Sequence, residues 1–303
     1  MNSESASTLP VTRPSRVGIV AKARLRDASA VVCELADWLR TRGVEVALER
    51  DTAALAGLSL DAALSKDQIA RSVDLALVLG GDGTLIGMAS RIAGADTDVP
   101  ILAVNFGSLG FLTEITLEEL YPSLESVLAG TARTDLRQML RSRVVRRQSA
   151  IADRLVLNDV VVMKGALSSI IELSVTVGDQ FVTRFRADGL IVATPTGSTA
   201  YNLSAGGPIV HPIVDAMLLT PIAPHMLTHR PIVIPASSQT HIRPNLGNPH
   251  TDAFVSFDGQ FGFQLEPDDV VNVERAPRPL RLVSAAARNY FAVLHQKLKW
   301  GER

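Results

Sequence analysis

The sequence predicts an α/β amino-terminal domain with a doubly wound parallel sheet, followed by a mainly β carboxy-terminal domain, a β-sandwich. Three observations predict it. Apolar runs alternate with helical patterns from residue 16 to residue 129. After about residue 136 the period drops to two, and long helical patterns are nearly absent before residue 290. Gly80-Gly81-Asp82-Gly83-Thr84 lies at a strand-to-helix junction of the first half, the place where Rossmann-like sheets put their ligands.

The elements follow in chain order. Residues 1–14 are polar and read as a flexible tail. Arg16-Val17-Gly18-Ile19-Val20-Ala21-Lys22 is a short apolar run, the mark of a buried strand. Over residues 27–42, Ala28, Val31, Val32, Leu35, Trp38 and Leu39 share one helical face, and Gly43 ends the helix. Strands are expected at 44–48, 75–79 and 101–105, helices at 84–92 and 118–129, and a turn at Gly107-Ser108-Leu109-Gly110. One domain therefore covers residues 15–136. The second, residues 137–284, opens on the alternating Arg141-Ser142-Arg143-Val144-Val145-Arg146. It holds strand candidates at 152–162, 170–177, 191–194, 231–234 and 253–257. Residues 285–303 close the chain, with a helix at 290–298 assigned to the first domain.

Composition excludes several classes. The chain has 303 residues, 47% hydrophobic and 20% charged, as a packed globular protein does. Thirty basic against 31 acidic residues leave a net charge of −1, so there is no global basic field for nucleic acid. No uninterrupted apolar run approaches the roughly 20 residues that span a bilayer, and the polar start is not a secretory signal. A single cysteine, Cys33, excludes an intrachain disulfide and fits a reducing cytoplasm.

Gly80-Gly81-Asp82-Gly83-Thr84 combines glycines, which let the backbone approach a ligand, with the free N–H groups of a helix start. That suits a di- or triphosphate. No Gly-Lys-Ser/Thr follows, so it is not a Walker loop, and the glycine spacing is not that of a dinucleotide fingerprint. A carboxylate repels phosphate unless a cation lies between them. Asp82 therefore helps to hold Mg²⁺ or accepts a proton from a substrate hydroxyl; a plain tight turn with a capping aspartate is the bland alternative.

Asp188-Gly189 opens the most informative stretch, which runs through Thr194-Pro195-Thr196-Gly197-Ser198-Thr199-Ala200-Tyr201-Asn202-Leu203-Ser204 to Gly206-Gly207-Pro208. Small residues leave room, hydroxyls supply directional hydrogen bonds, and a tyrosine offers a face to a base or sugar. Composition alone equally allows a polar turn.

Together with the Gly-Gly-Asp-Gly-Thr turn, this stretch resembles the NAD kinase family of bacterial type, over nearly the whole chain from about residue 16 to residue 300. Asn105-Phe106-Gly107-Ser108-Leu109-Gly110-Phe111-Leu112 and Ala223-Pro224-His225-Met226-Leu227-Thr228-His229-Arg230-Pro231 are similar to further segments of that family. Gly-Gly-Asp-Gly alone is shared with diacylglycerol and sphingosine kinases. The resemblance implies an NAD kinase/diacylglycerol kinase-like fold and transfer of the terminal phosphate of ATP to the adenosine 2′-hydroxyl of NAD, with Mg²⁺ carried by ATP. It also implies a homodimer or homotetramer formed through the β half.

The resemblance further assigns roles by position. Asp82 matches the catalytic aspartate, Gly83 lines the dinucleotide diphosphate, and Gly80, Gly81 and Thr84 complete the phosphate loop. Asn158-Asp159 matches an Asn-Glu pair that contacts substrate, with Asp one methylene shorter. Arg186 and Asp188 match a polar pair touching the dinucleotide. Thr199, Ala200, Tyr201, Asn202, Leu203 and Ser204 would hold the adenylate part, and Ser169 and Gln260 fall at further substrate positions. His225 resembles a histidine near the added phosphate; Lys22, just after the first strand, is a second phosphate candidate.

Two alternatives remain open: a lipid kinase sharing the glycine turn, and a non-catalytic NADP(H) sensor on the same scaffold. Arg137, Arg141, Arg143, Arg146 and Arg147 could hold an anion, although such runs are more often a solvated strand face or a subunit contact. His225 and His229 are spaced i, i+4, but Pro224 and Pro231 crowd them and no Glu follows the first, which argues against zinc.

Overall fold

A computed structural model of the chain describes all residues except 1–7, 23–24, 26–27, 108–109, 167, 227, 247–250, 285–289 and 301–303. The expected helix start at Asp27 and the middle of the 107–110 turn lie outside the described residues. The chain forms two compact units, one of Met1–Leu136 with Leu280–Arg303 and one of Arg137–Pro279.

The first unit is an α/β sheet. Its strands lie in the order Thr8–Pro10, Arg133–Arg137, Leu280–Val283, Ile101–Asn105, Leu75–Gly80, Arg16–Ala21, Glu45–Leu48, with Ile115–Thr116 added beside Ile101–Asn105. The run from Leu280–Val283 to Glu45–Leu48 is parallel. Parallel strands are covered on both faces, so they read as continuous apolar runs; Leu75–Gly80 is buried at every position. Helix Ala28–Arg40 turns Ala28, Val32, Leu35, Ala36 and Leu39 inward. The chain leaves Arg16–Ala21 for Glu45–Leu48 on one side and returns to Leu75–Gly80 on the other. Between those two strands lies the topological switch point, whose carboxyl-end crevice is where open α/β sheets bind ligands. Lys22 and Gly80-Gly81-Asp82 stand at those two strand ends, joined by Lys22 N–H donating to the Leu79 carbonyl at 2.9 Å.

Residues 8–11 of the expected tail are built into the fold. Thr8–Pro10 pairs antiparallel with residues 133–135, and Val11, 2% exposed, donates its N–H to the Ala132 carbonyl. A three-residue edge strand ending on proline leaves no period to detect. Helices Arg50–Leu55 and Lys66–Ser72 were also hidden by brevity, although Ser65 and Gln68 form a capping box at the second.

The second unit is a sandwich of two antiparallel six-stranded sheets. One runs Ile232–Pro235, Ala216–Ile222, Gly189–Ala193, Asp159–Lys164, Ala253–Phe257, Phe261–Leu265; the other runs Gln180–Ala187, Ile171–Val177, Thr240–Asn245, Val270–Arg275, Leu140–Arg146, Ser149–Val156. Leu140, Val144, Leu173, Val175 and Phe185 of the second meet Val160, Val162, Val192, Met217 and Val255 of the first. The expected single strand over 152–162 is two strands in different sheets, broken at Leu157-Asn158. Val161, Ile191 and Leu218 face the far side of their sheet and pack with Ala205 and Val210. The segment after Thr194 thus covers that face. The arginine run divides: Arg137 is buried, 4% exposed, whereas the arginines of Leu140–Arg146 lie on a partly solvated strand face, Arg141 pairing with Asp153 at 2.6 Å, and Arg146 with Asp269 at 2.8 Å and Glu266 at 2.7 Å. No helix among the described residues is long and apolar enough to cross a membrane.

Candidate functional site

Each unit carries one cluster. In the first, Gly81 is the cap of helix Asp82–Gly94, which starts two residues earlier than the apolar spacing indicates. Asp82 therefore stands in the first turn, where the helix dipole favours a negative charge. Its carboxylate points at the loop after Ile101–Asn105. Oδ1 accepts from Leu112 N–H at 3.2 Å, Thr113 N–H at 3.0 Å and the Thr113 hydroxyl at 2.9 Å; Oδ2 accepts from Phe111 N–H at 3.0 Å. Gly110 makes this approach possible: a Cβ there would fall onto Asp82 Oδ1 and Thr113 Oγ1. Gly83 is exposed, Thr84 is partly exposed, and Lys22 is exposed at the end of the neighbouring strand. The cluster offers a fixed carboxylate, a helix start and a lysine.

In the second unit the break at Leu157-Asn158 is the organising feature. Asp258 sits in a tight turn with φ 52°. Its carboxylate accepts the N–H groups of Leu157 and Asn158, both at 2.8 Å, and of Asp159 at 3.0 Å. Thr194 closes the other side: its hydroxyl donates to the Leu157 carbonyl at 2.6 Å and its N–H to the Asn158 carbonyl at 2.9 Å. Among the described residues, Asn158 Oδ1 and Thr196 Oγ1 are buried with no hydrogen-bond partner. Buried polar atoms without a protein partner are uncommon, and that makes these two atoms candidates for ligand binding.

Asp159 is 5% exposed. Burial, with the Asp258 charge beside it, pushes its carboxyl up to about 7. Between 3.8, the ordinary value, and about 7 the unfolded chain has lost this proton while the native chain keeps it. Stability therefore falls as pH rises across that window and stays low above it. Asp159→Asn should flatten that slope and raise the melting temperature at pH 8 by about 2 °C or more, the shift given by roughly 1 kcal/mol in a domain of this size. Thermal melts from pH 4 to 8 check it.

The other predicted positions divide. Thr196–Thr199 and Tyr201–Ser204 form two short helical turns, with Tyr201 and Ser204 exposed and Thr199, Ala200 and Leu203 partly so. Asn202 is different. It is fully buried, Nδ2 donates to the Ser198 and Pro208 carbonyls, and Oδ1 accepts the Thr220 hydroxyl at 2.6 Å. Its side chain holds the loop and faces inward. Arg186 and His225 are exposed and joined through His225 N–H and the Arg186 carbonyl at 2.9 Å. Asp188 is paired with Lys164 at 3.3 Å. Ser169 and Gln260 are exposed, on the loop after Asp159–Lys164 and on the turn of Asp258 respectively. Sequence inspection missed Asp258, Gly110 and Thr113. An Asp-Gly pair between Ala253–Phe257 and Phe261–Leu265 was the available signal for the first.

A switch-point sheet ending in a glycine turn with a fixed acid, carried in one chain with a β-sandwich bearing a hydroxyl-rich loop, defines a nucleotide-handling kinase scaffold. The model of the ATP-NAD kinase N-terminal domain matches residues 17–132, and that of the ATP-NAD kinase C-terminal domain matches residues 157–285. The chain belongs to the NAD kinase family. It is 50% identical over 291 residues to the NAD kinase of Syntrophotalea carbinolica and 48% identical over 288 residues to that of Geotalea daltonii, in each case over 95% of this chain and 99% of the relative. Among solved structures, a yeast NADH kinase complexed with NADH superposes with a TM-score of 0.85 at 26% identity, covering 97% of this chain and 89% of that one. An Archaeoglobus fulgidus NAD kinase in complex with ATP shares the fold, with a TM-score of 0.72 at 24% identity over 93% of this chain and 99% of that one.

Proposed function

We propose that the chain carries out its family's reaction, NAD⁺ + ATP → NADP⁺ + ADP, with Asp82 orienting the adenosine 2′-hydroxyl and taking its proton. The observation that carries this is the Asp82 carboxylate, held by four hydrogen bonds at the carboxyl end of a switch-point strand. Ribose hydroxyls are weak acids and ordinary carboxylates weak bases, with pKa about 4, so the proton moves late, as the oxygen–phosphorus bond forms. Positioning and charge compensation dominate phosphoryl transfer.

The remaining residues act on the substrates. Gly80, Gly81, Gly83 and Thr84 form the turn that lets phosphates approach the main chain, with the Thr84 N–H committed to the Gly81 carbonyl at 2.9 Å and Lys22 as a nearby cation. Thr199 to Ser204 hold the adenylate part, Tyr201 lying against it with its exposed ring. Asn158 Oδ1, buried with no partner in the protein, and Asp159 accept from substrate donors. Arg186, Asp188, His225, Ser169 and Gln260 make further contacts to the dinucleotide or the added phosphate. Mg²⁺ prefers one or two carboxylates plus substrate phosphates to a protein cage. The ion would arrive on the ATP phosphates, leaving Asp82 to the substrate hydroxyl. Bound there, the ion would offset phosphate charge.

The protein is further proposed to be cytoplasmic and to self-associate through the β unit. Supporting the second, Ile232 (39%) and Val233 (50%) are exposed on the edge strand Ile232–Pro235. Incubation with NAD, ATP and Mg²⁺, with NADP read by an NADP-specific dehydrogenase, tests the activity. NADP should accumulate; tight NADP binding without turnover would favour a sensor.

A further inference from the structure

Asp82 is held by a directed chain of side chains, and that chain tells its two oxygens apart. Asn105 lies at the end of Ile101–Asn105, 7% exposed. Its Oδ1 accepts Gly107 N–H at 2.6 Å, which fixes the flip of the amide. Nδ2 therefore faces Thr113 and donates to its hydroxyl oxygen at 3.0 Å. A hydroxyl has one proton to give. With Asn105 on its acceptor side, Thr113 Oγ1 gives that proton to Asp82 Oδ1 at 2.9 Å. Thr113 is fully buried, so no water competes for it.

The two carboxylate oxygens are left unequal. Oδ1 takes three donors and is full, whereas Oδ2 takes one, from Phe111 N–H. A carboxylate offers about four acceptor positions in all.

We propose that Asn105 and Thr113 are positioning residues that saturate Asp82 Oδ1 and so reserve Oδ2 as the single acceptor for the substrate hydroxyl. This rests on the proposed role of Asp82 and goes beyond it, because it names the acceptor atom and the groups that select it. Without the Thr113 hydroxyl, Oδ1 loses its shortest donor and keeps only two main-chain N–H groups, at 3.2 and 3.0 Å; the carboxylate is held less firmly in one pose, and the reactive alignment is populated for a fraction of the time.

The test is a set of variants read by steady-state kinetics, with thermal melts to establish folding. Thr113→Val should lower kcat about 10- to 100-fold, the span expected for losing one hydrogen bond to a charged group, with KM for NAD within about twofold of the parent. Thr113→Ser, which keeps the hydroxyl, should restore most of kcat. Asn105→Asp turns a donor into an acceptor, draws the Thr113 proton away from Asp82, and should reproduce the Thr113→Val loss.

The deciding measurement is a double-mutant cycle. In an Asp82→Asn background, Thr113→Val should cost less than about twofold, because the two groups act as one unit. If it costs as much there as in the parent, Thr113 is merely structural and the inference is overturned. Failure of Thr113→Ser to rescue overturns it equally. If instead Asp82→Asn alone leaves kcat unchanged, the proposed role of Asp82 itself is wrong, a distinguishable outcome.

Discussion

Asp82→Asn lowers kcat by about 10²- to 10⁴-fold, the span typical of losing a positioned acid–base group, while NAD still binds. Asn keeps the size of the side chain and one of its two acceptors, so Gly110 and the 111–113 loop have no steric reason to move. What disappears is a charge placed to receive a proton and to oppose rotation of the substrate hydroxyl. The effect therefore falls on kcat, with KM for NAD changed only a few-fold. A loss confined to KM would make Asp82 a binding group.

Gly197→Ala strikes the second unit through space alone. A Cβ at residue 197 would fall onto the carbonyl oxygen of Asn158 and lie 2.5 Å from its carbonyl carbon and 2.6 Å from its Cα. All three atoms are backbone, pinned by Thr194 on one side and Asp258 on the other, so nothing nearby can swing aside. Overpacking of this kind costs about 1–3 kcal/mol or more. The displacement also moves Asn158 and the start of the Thr196–Thr199 turn together. Expected results are a lower melting temperature and a KM for NAD raised at least about tenfold, since one methyl group is enough to misplace a contact by an ångström. Thermal unfolding and substrate titration check both. An unchanged KM would separate this junction from NAD binding.

Much of the fold is legible in the sequence, for reasons visible in particular residues. Leu75-Ala76-Leu77-Val78-Leu79 reads as a strand because a parallel strand buries both faces, and the glycine turn announces itself at its end. The break at Leu157-Asn158 was hidden for a different reason. Residues on both sides of it are apolar and β-branched, and the change of sheet is made by hydrogen bonds to Asp258, about a hundred positions away. Local pattern cannot report a partner at that distance. Edge strands such as Gln180–Ala187, exposed at most of its positions, carry too little alternation to be seen.

The site divides along the same line. Asp82 and the 196–204 stretch are recognisable as residue types in a motif. Asn202 belongs to that motif too, yet its amide is spent on Ser198, Pro208 and Thr220, which only a folded chain can show. Thr113 is an ordinary threonine in the sequence and becomes informative once its hydroxyl is seen on Asp82.

A crystal structure with NAD and a non-hydrolysable ATP analogue tests the central claim most directly. The account places Asp82 Oδ2 within hydrogen-bond reach of the adenosine 2′-oxygen, about 2.6–3.2 Å, with that oxygen facing the terminal phosphorus. A 2′-oxygen lying several ångströms from either carboxylate oxygen, with both nucleotides bound and the terminal phosphate aimed elsewhere, would contradict it.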